Sequence, residues 1–449
     1  MRRRFGLLLP ALTLLVALAA CRSAPTPGGP DAVDAPTHEE YADALADFGL
    51  DEVALGRDWL AAAARALEQP IAVTLPFTET GHLSAQRAAA VAYRFDVRRG
   101  RRLAIDVTFD ADPAGTLFVD LFEVRDGGAP RRVAGLAPGQ TTLEYDVRRD
   151  AAHVLRLQPE LLRGGRYSVM QRTLASVAPP VRDFRPATVR SGFGAPRDGG
   201  ARSHHGVDIF RPRGTPVIAA ADGYAHLDDT PRGGRVVWLR DARTRRRLYY
   251  AHLDDWAVES GAFVRTGDVL GYVGNTGNAV TTPPHLHFGV YDRGPADPVP
   301  YLAPDDPVPP PIAGPAREAL GRWMRVTARA AALVAPEAAP ARAAAAATTE
   351  LPRGTLVWAV AALGGRFRVE LPDGTLGVVR ARDVGEASAP LGVSTALGDV
   401  RESPAAAAPV IETLEDGVEV RVFGRFGGFS FVELPDARRG WIAARSAAY

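Results

Sequence analysis

A chain of 449 residues is too long for one ordinary core, and its length alone points to two to four domains. With 46% hydrophobic and 23% charged residues, wholesale disorder is excluded, and a net charge of +1 argues against nucleic acid as a partner. Every basic residue is arginine; together with the abundant alanine, this reads as genomic base bias rather than function.

The chain opens as a targeting segment. Arg2, Arg3 and Arg4 precede an apolar run from Phe5 to Leu18 that Pro10 and Thr13 interrupt. This run is too short and too broken for a comfortable membrane span. Cys21 is the only cysteine, so it has no intramolecular disulfide partner. The run Leu18-Ala19-Ala20-Cys21 resembles a bacterial lipobox. That resemblance implies a signal peptide over 1–20, lipidation of Cys21, and a protein exported and lipid-anchored at the cell envelope, on the periplasmic face or the outer membrane. The alternative is an ordinary secretory signal that happens to contain a cysteine.

Residues 21–37, rich in proline, glycine and alanine, read as a flexible tether. Tyr41, Leu45, Phe48 and Leu60 recur with helical spacing and predict one or two helices over 38–70. From 71 to 180 the pattern turns to short alternating segments such as Ala92–Val97, Leu103–Val107 and Leu117–Phe122, with glycine-bearing turns between them. That is the signal of an antiparallel β-sandwich. His38, His82 and His153 are scattered through this front half and are expected at the surface or in turns.

Six of the nine histidines fall between His204 and His287. His204 and Asp208 form an H-x-x-x-D pair, which on a strand would share one face, with Gly206 between them permitting close backbone approach. His285 and His287 form an H-x-H pair with both imidazoles on one face. Two histidines and a carboxylate suit Zn²⁺ and leave a fourth position open for water. His252 ends another β-like segment, and its neighbour Tyr250 is expected in the core. His226 is expected to be an ordinary strand residue.

In order along the chain, Ser203–Ile209, Gly214–Val217, Ala220–Gly223, Tyr250–Leu253, Gly274–Gly277 and Pro284–Phe288 resemble the LytM/lysostaphin-type zinc endopeptidases over roughly a quarter of the sequence. The resemblance implies an antiparallel-β peptidase domain at 183–302, with a groove across the sheet. It also implies His204, Asp208 and His287 as zinc ligands, His252 and His285 as catalytic histidines, and peptide cross-links of peptidoglycan as substrate. His205 falls at a variable position and receives no role. Of the two catalytic histidines, His285 is read as the base and His252 as the oxyanion partner, with exchange of roles left open. A catalytically silent LytM-type activator or scaffold for another cell-wall hydrolase is the alternative function.

A proline-dense stretch at 303–320 reads as a linker. Beyond it, Phe367-Arg368-Val369-Glu370-Leu371-Pro372-Asp373 recurs 63 residues later around Phe431-Val432-Glu433-Leu434-Pro435-Asp436. Repeats of this kind indicate two small barrels, at 321–386 and 390–449, resembling bacterial SH3-like modules. Trp441 in the second copy, where the first has Val378, is the candidate aromatic platform for a cell-wall or protein ligand. The expected fold class is therefore mainly β and multidomain, with a short helical segment near the start.

Overall fold

The computed structural model describes residues 36–125, 128–137, 139–335 and 348–444; Cys21, the signal segment and most of the tether lie outside the described residues. The fold is mostly β, in antiparallel sheets. Among the described residues no helix is long and apolar enough to cross a membrane.

Two helices, α1 (His38–Asp47) and α2 (Ala54–Glu68), lead the described chain. A capping box starts α1: the Thr37 hydroxyl accepts from the Glu40 N–H, and the Glu40 carboxylate accepts from the Thr37 N–H. Both helices pack on the sheets that follow. Trp59 donates its indole N–H to Pro159 O at 2.8 Å, and His38 stacks on Trp59 while sharing a 2.7 Å hydrogen bond with Gln158. His38 and His153 are thus buried rather than superficial, and His82 is half-buried. Gln158 partners the His38 ring and Ala151 O accepts from His153 Nδ1 at 3.1 Å, contacts that spacing alone does not reveal.

Residues 71–175 form two facing sheets around a core that includes Tyr93, Leu103, Ile105, Leu121, Leu155 and Leu157. Strand β1 (Phe77–Leu83) belongs to one of them. The peptidase-like segment follows, with β2 (Val207–Phe210), β3 (Gly223–Thr230), β4 (Gly234–Asp241), β5 (Arg247–Trp256), β6 (Phe263–Val264) and β7 (His285–Tyr291). They lie in the order β2-β7-β5-β4-β3-β6, antiparallel throughout. One face of this sheet buries Ile209, Leu239, Leu248, Tyr250, Leu286 and Phe288, so Tyr250 is a core residue.

The stretch read as a linker is tied down. Immediately before it lies helix α3 (Pro298–Leu302), capped by Asp297, with Tyr301 and Leu302 buried. Asp306 then accepts the Thr173 N–H and hydroxyl, each at 2.7 Å, and Asp305 accepts the Ala175 N–H at 2.7 Å. These two carboxylates satisfy strand-edge donors that would otherwise need water. A further helix, α4 (Gly314–Glu318), delivers Ala319 and Leu320 into the next core.

The carboxy-terminal chain does not stand apart. Strand β8 (Leu356–Leu363) pairs with β1 through Thr80–Ala362 and Gly81–Ala361, so one sheet runs through both regions. Next to β8 lies β9 (Arg366–Glu370), in a hairpin with Leu376–Arg380. The equivalent hairpin, Phe429–Glu433 with Arg439–Ala443, keeps the 63-residue offset and belongs to a closed four-stranded barrel. Trp441 is not available as a platform: it is buried against Phe431 at 4.9 Å and Trp323 at 6.3 Å, where the two repeats meet. An indole that closes an apolar seam loses its free face, and the sequence pattern could not say which side was covered.

Candidate metal centre

Across the central strands, Asp208 of β2 lies opposite His287 of β7, which in turn lies opposite Ala251 of β5. His204 is not on a strand, contrary to the H-x-x-x-D expectation. It sits in the preceding loop, which is pinned by paired backbone hydrogen bonds, Gly194 N–H to His204 O at 2.8 Å and His204 N–H to Ala195 O at 2.9 Å. Gly206 makes the return possible. A Cβ there would stand 2.8 Å from the His287 ring and 2.5 Å from Phe288 O. Gly206→Ala should therefore displace His287 and lower zinc affinity by at least the ~10–100-fold that disturbing outer support costs at a metal site. Competition with a chromophoric chelator measures this.

His204 Nε2, Asp208 Oδ1 and His287 Nδ1 form a triangle with edges of 3.1, 3.1 and 2.9 Å. Among the described residues these three form the group that could hold a metal ion. The edges approach the roughly 3.3 Å that separates ligands held at about 2.0–2.1 Å from tetrahedral Zn²⁺. The donor set fits as well. His204 Nδ1 donates to Gly192 O at 2.8 Å, which leaves its Nε2 as a lone pair aimed at the triangle. Two imidazole nitrogens converging on one carboxylate oxygen is an arrangement that a cation relieves.

Arg197 holds the other carboxylate oxygen. Its Nη2 lies 2.9 Å from Asp208 Oδ2 and 2.6 Å from Ser191 Oγ, so Oδ1 remains for the ion. Nothing in the spacing of the Asp198-Gly199-Gly200 loop announced this partner. Arg197→Ala should weaken zinc binding about 10–100-fold while leaving the fold intact, read as chelator competition beside an unchanged melting curve. Burial works against the charge on Asp208, but the adjoining His204 and His287 imidazoles outweigh it and hold the carboxyl well below the usual carboxylate range. Burial depresses His287.

His252 and His285 complete the cluster. In β5, Ala251 and His252 together oppose Val236, a bulge flanked by the pairs Tyr250–Val237 and Leu253–Arg235. His252 adopts φ +65°, a left-handed conformation that costs a non-glycine residue about 1–3 kcal/mol and turns its ring onto the metal face. The strain is held by His252 N–H to Gly233 O at 2.8 Å and by the ring's Nδ1–H to Thr276 O at 2.9 Å. Thr276 comes this close because Gly277, at φ +69°, packs backbone to backbone on Gly234. His285 Nδ1 donates to Pro283 O at 2.9 Å, its ring stacks on Phe210 at 5.0 Å, and its Nε2 lies 4.0 Å from Asp208 Oδ1. Both histidines thus expose Nε2 as an acceptor, with ring centroids 5.0 Å apart. Burial pushes the His252 imidazolium down to about 4, so it is neutral near pH 7.

All five expected site residues therefore meet on one face. His205 is exposed and stacks on Phe193, and His226 is exposed and hydrogen-bonded to Ser260. Tyr249, edge-on to His287 at 5.7 Å, and Phe210 were missed in the sequence, though Tyr249 lies three residues from His252 and Phe210 two from Asp208.

Residues 202–298 match the profile of peptidase family M23. The chain is 38% identical over 127 residues to an L-Ala–D-Glu endopeptidase of Bacillus subtilis, covering 25% of this chain and 39% of that protein. It is 41% identical over 105 residues to the DD-carboxypeptidase/endopeptidase Mpg of Neisseria meningitidis serogroup B, covering 23% and 24%. The catalytic domain of lysostaphin from Staphylococcus simulans matches at 34% identity and a TM-score of 0.23, over 25% of this chain and 88% of that one. The chain thus spans well under half the length of these two curated relatives. The segment that carries the His-Asp-His cluster is the part of the chain that matches peptidase family M23 and its endopeptidase relatives.

Proposed function

We propose that this protein is a zinc-dependent endopeptidase that hydrolyses peptide cross-links of bacterial peptidoglycan. The observation that carries the reading is the convergence of His204 Nε2, Asp208 Oδ1 and His287 Nδ1, with two further histidines presenting free Nε2 atoms beside them. The endopeptidase names of the relatives support the substrate class. When bound, zinc would polarise the scissile carbonyl and bring a water toward ionisation near neutral pH. The chain's own residues do the rest. His285 Nε2, nearest the ligand oxygen, takes the water's proton; its Nδ1 stays locked on Pro283 O, so the ring does not turn away. His285 then returns that proton from Nε2 to the departing amine and ends as it began, while His252 faces the same space beside the oxyanion.

An activator without catalysis would need no such second pair of histidines. The test is digestion of purified peptidoglycan by the mature, zinc-loaded protein, with muropeptides separated before and after chelation. Chelator-sensitive release of peptide-cleaved fragments is expected; intact substrate with a folded, zinc-loaded protein would leave the activator reading. The lipobox-like run ending at Cys21 supports an exported, lipid-anchored placement, which palmitate labelling of wild type against Cys21→Ser would test. The paired repeats are read as SH3-like modules that position the enzyme on the wall.

A further inference from the structure

The face of the sheet that carries the metal centre extends well beyond it. Directly opposed residues of antiparallel strands point the same way, so the pairing defines rows across that face. The first row holds Asp208, His287 and Ala251. The next holds Gly289, Tyr249, Trp238 and His226. A third row, two residues further along each strand, runs Tyr291, Arg247, Arg240, Tyr224 and Phe263 over five strands. From His287 to Tyr291 is four residues, or about 13–14 Å along an antiparallel strand.

Arg247 and Arg240 are directly opposed in this third row. Like charges in that position are destabilising. Both are exposed, and among the described residues neither is paired with a carboxylate. The Arg247 guanidinium lies over Trp238 at 5.3 Å, which holds its plane against the aromatic floor. At the far end Tyr224 and Phe263, 56% and 51% exposed, stack edge to face at 5.2 Å. Two uncompensated guanidinium groups beside the exposed rings of Tyr224 and Phe263, on the floor that leads to the metal centre, form a site for an anion carried on a partly apolar chain.

We infer that the Arg240–Arg247 pair docks a free carboxylate of a peptidoglycan stem peptide, with Tyr224 and Phe263 covering the adjoining apolar atoms, while the bond to be cut lies at the metal centre. This rests on peptidoglycan being the substrate. It gives the third row a role in holding the polymer and none in the chemistry.

Binding of the full zinc-loaded protein to purified insoluble peptidoglycan, measured in the cold by co-sedimentation, tests it. A parallel sample has its free carboxylates amidated with carbodiimide and ammonia. Amidation is expected to weaken wild-type binding roughly tenfold, the scale of two modest ion pairs. Arg240→Gln/Arg247→Gln should bind native material as weakly and lose nothing more on amidation. Its melting temperature should match or exceed wild type, because a repulsive pair is gone. Arg240→Lys/Arg247→Lys, which keeps the charge, should retain most binding. The kcat of both variants on a small soluble cross-linked peptide should be unchanged, any loss falling on KM. Wild-type affinity in the Gln variant, or equal sensitivity of wild type and Gln variant to amidation, overturns the inference. So does Lys-variant binding no better than that of the Gln variant. Amidation-sensitive binding by a wild-type protein that cuts nothing would sink the proposed function and support this docking row.

Discussion

His204→Ala and His287→Ala should each abolish measurable peptidoglycan cleavage and leave zinc retained far below one ion per chain. Each removes a vertex of a triangle whose edges are about 3 Å, so two donors remain where the open site needs three. The loss should exceed the ~10–100-fold expected from disturbing an outer-shell partner such as Arg197. Nor should added zinc restore activity at concentrations that saturate the wild type. His285→Ala provides the contrast. It should keep the ion, because its Nε2 lies outside the triangle, yet lose most turnover with its proton acceptor, typically a factor of about 10²–10⁴. Metal content by atomic emission, measured beside turnover on the same preparations, separates the two classes. Full zinc occupancy in His287→Ala would refute the ligand assignment, and full turnover in His285→Ala would refute its role as base.

The second large effect lies far from the metal. Glu79 of β1 and Arg368 of β9 form a buried ion pair, with Arg368 Nη2 2.5 Å from Glu79 Oε1. Tyr93 and Tyr167 donate to the same oxygen at 2.5 and 2.8 Å. Burial, and then the Glu79 charge, raise both phenols above their ordinary range, so they remain donors. Glu79→Leu strands a buried guanidinium, and Arg368→Met strands a buried carboxylate; either should cost about 3–5 kcal/mol. Glu79→Leu/Arg368→Met removes both charges and should return close to wild type, since one phenol, released from Glu79, can donate to the other across the 2.8 Å between them. Thermal midpoints of the four proteins complete the cycle. Single variants that melt within a degree of wild type would mean that water reaches the pair and screens it.

The convergence of the candidate metal-centre residues was more legible in the sequence than the fold around them. His204, Asp208, His252, His285 and His287 could be named because metal chemistry restricts residue types and strand periodicity restricts spacing. His204 nevertheless reached the site from a loop rather than a strand, since the deciding fact was the space left by Gly206 beside His287. Arg197 was illegible because long flexible side chains meet their partners through loop geometry. The period-two pattern of residues 71–175 did identify strands. It could not tell that Thr80 and Gly81 would pair with Ala361 and Ala362 nearly 300 residues away. Trp441 shows the same limit: an aromatic in a strand pattern looks alike whether it faces a ligand or a neighbouring repeat.

That shared sheet has a mechanical consequence. The peptidase domain leaves the first sheet after Ala175 and rejoins it where Asp305 and Asp306 grip the same strand, so both of its ends are rooted in one place. A pull between helix α1 and the carboxy-terminal barrel would pass through the β1–β8 seam and the Glu79–Arg368 pair. The segment between, tied to the front sheets by Arg243 and Arg246 on Asp146 as well as by its two ends, lies beside that line of force, so tension along the rest of the chain would bypass the candidate metal centre.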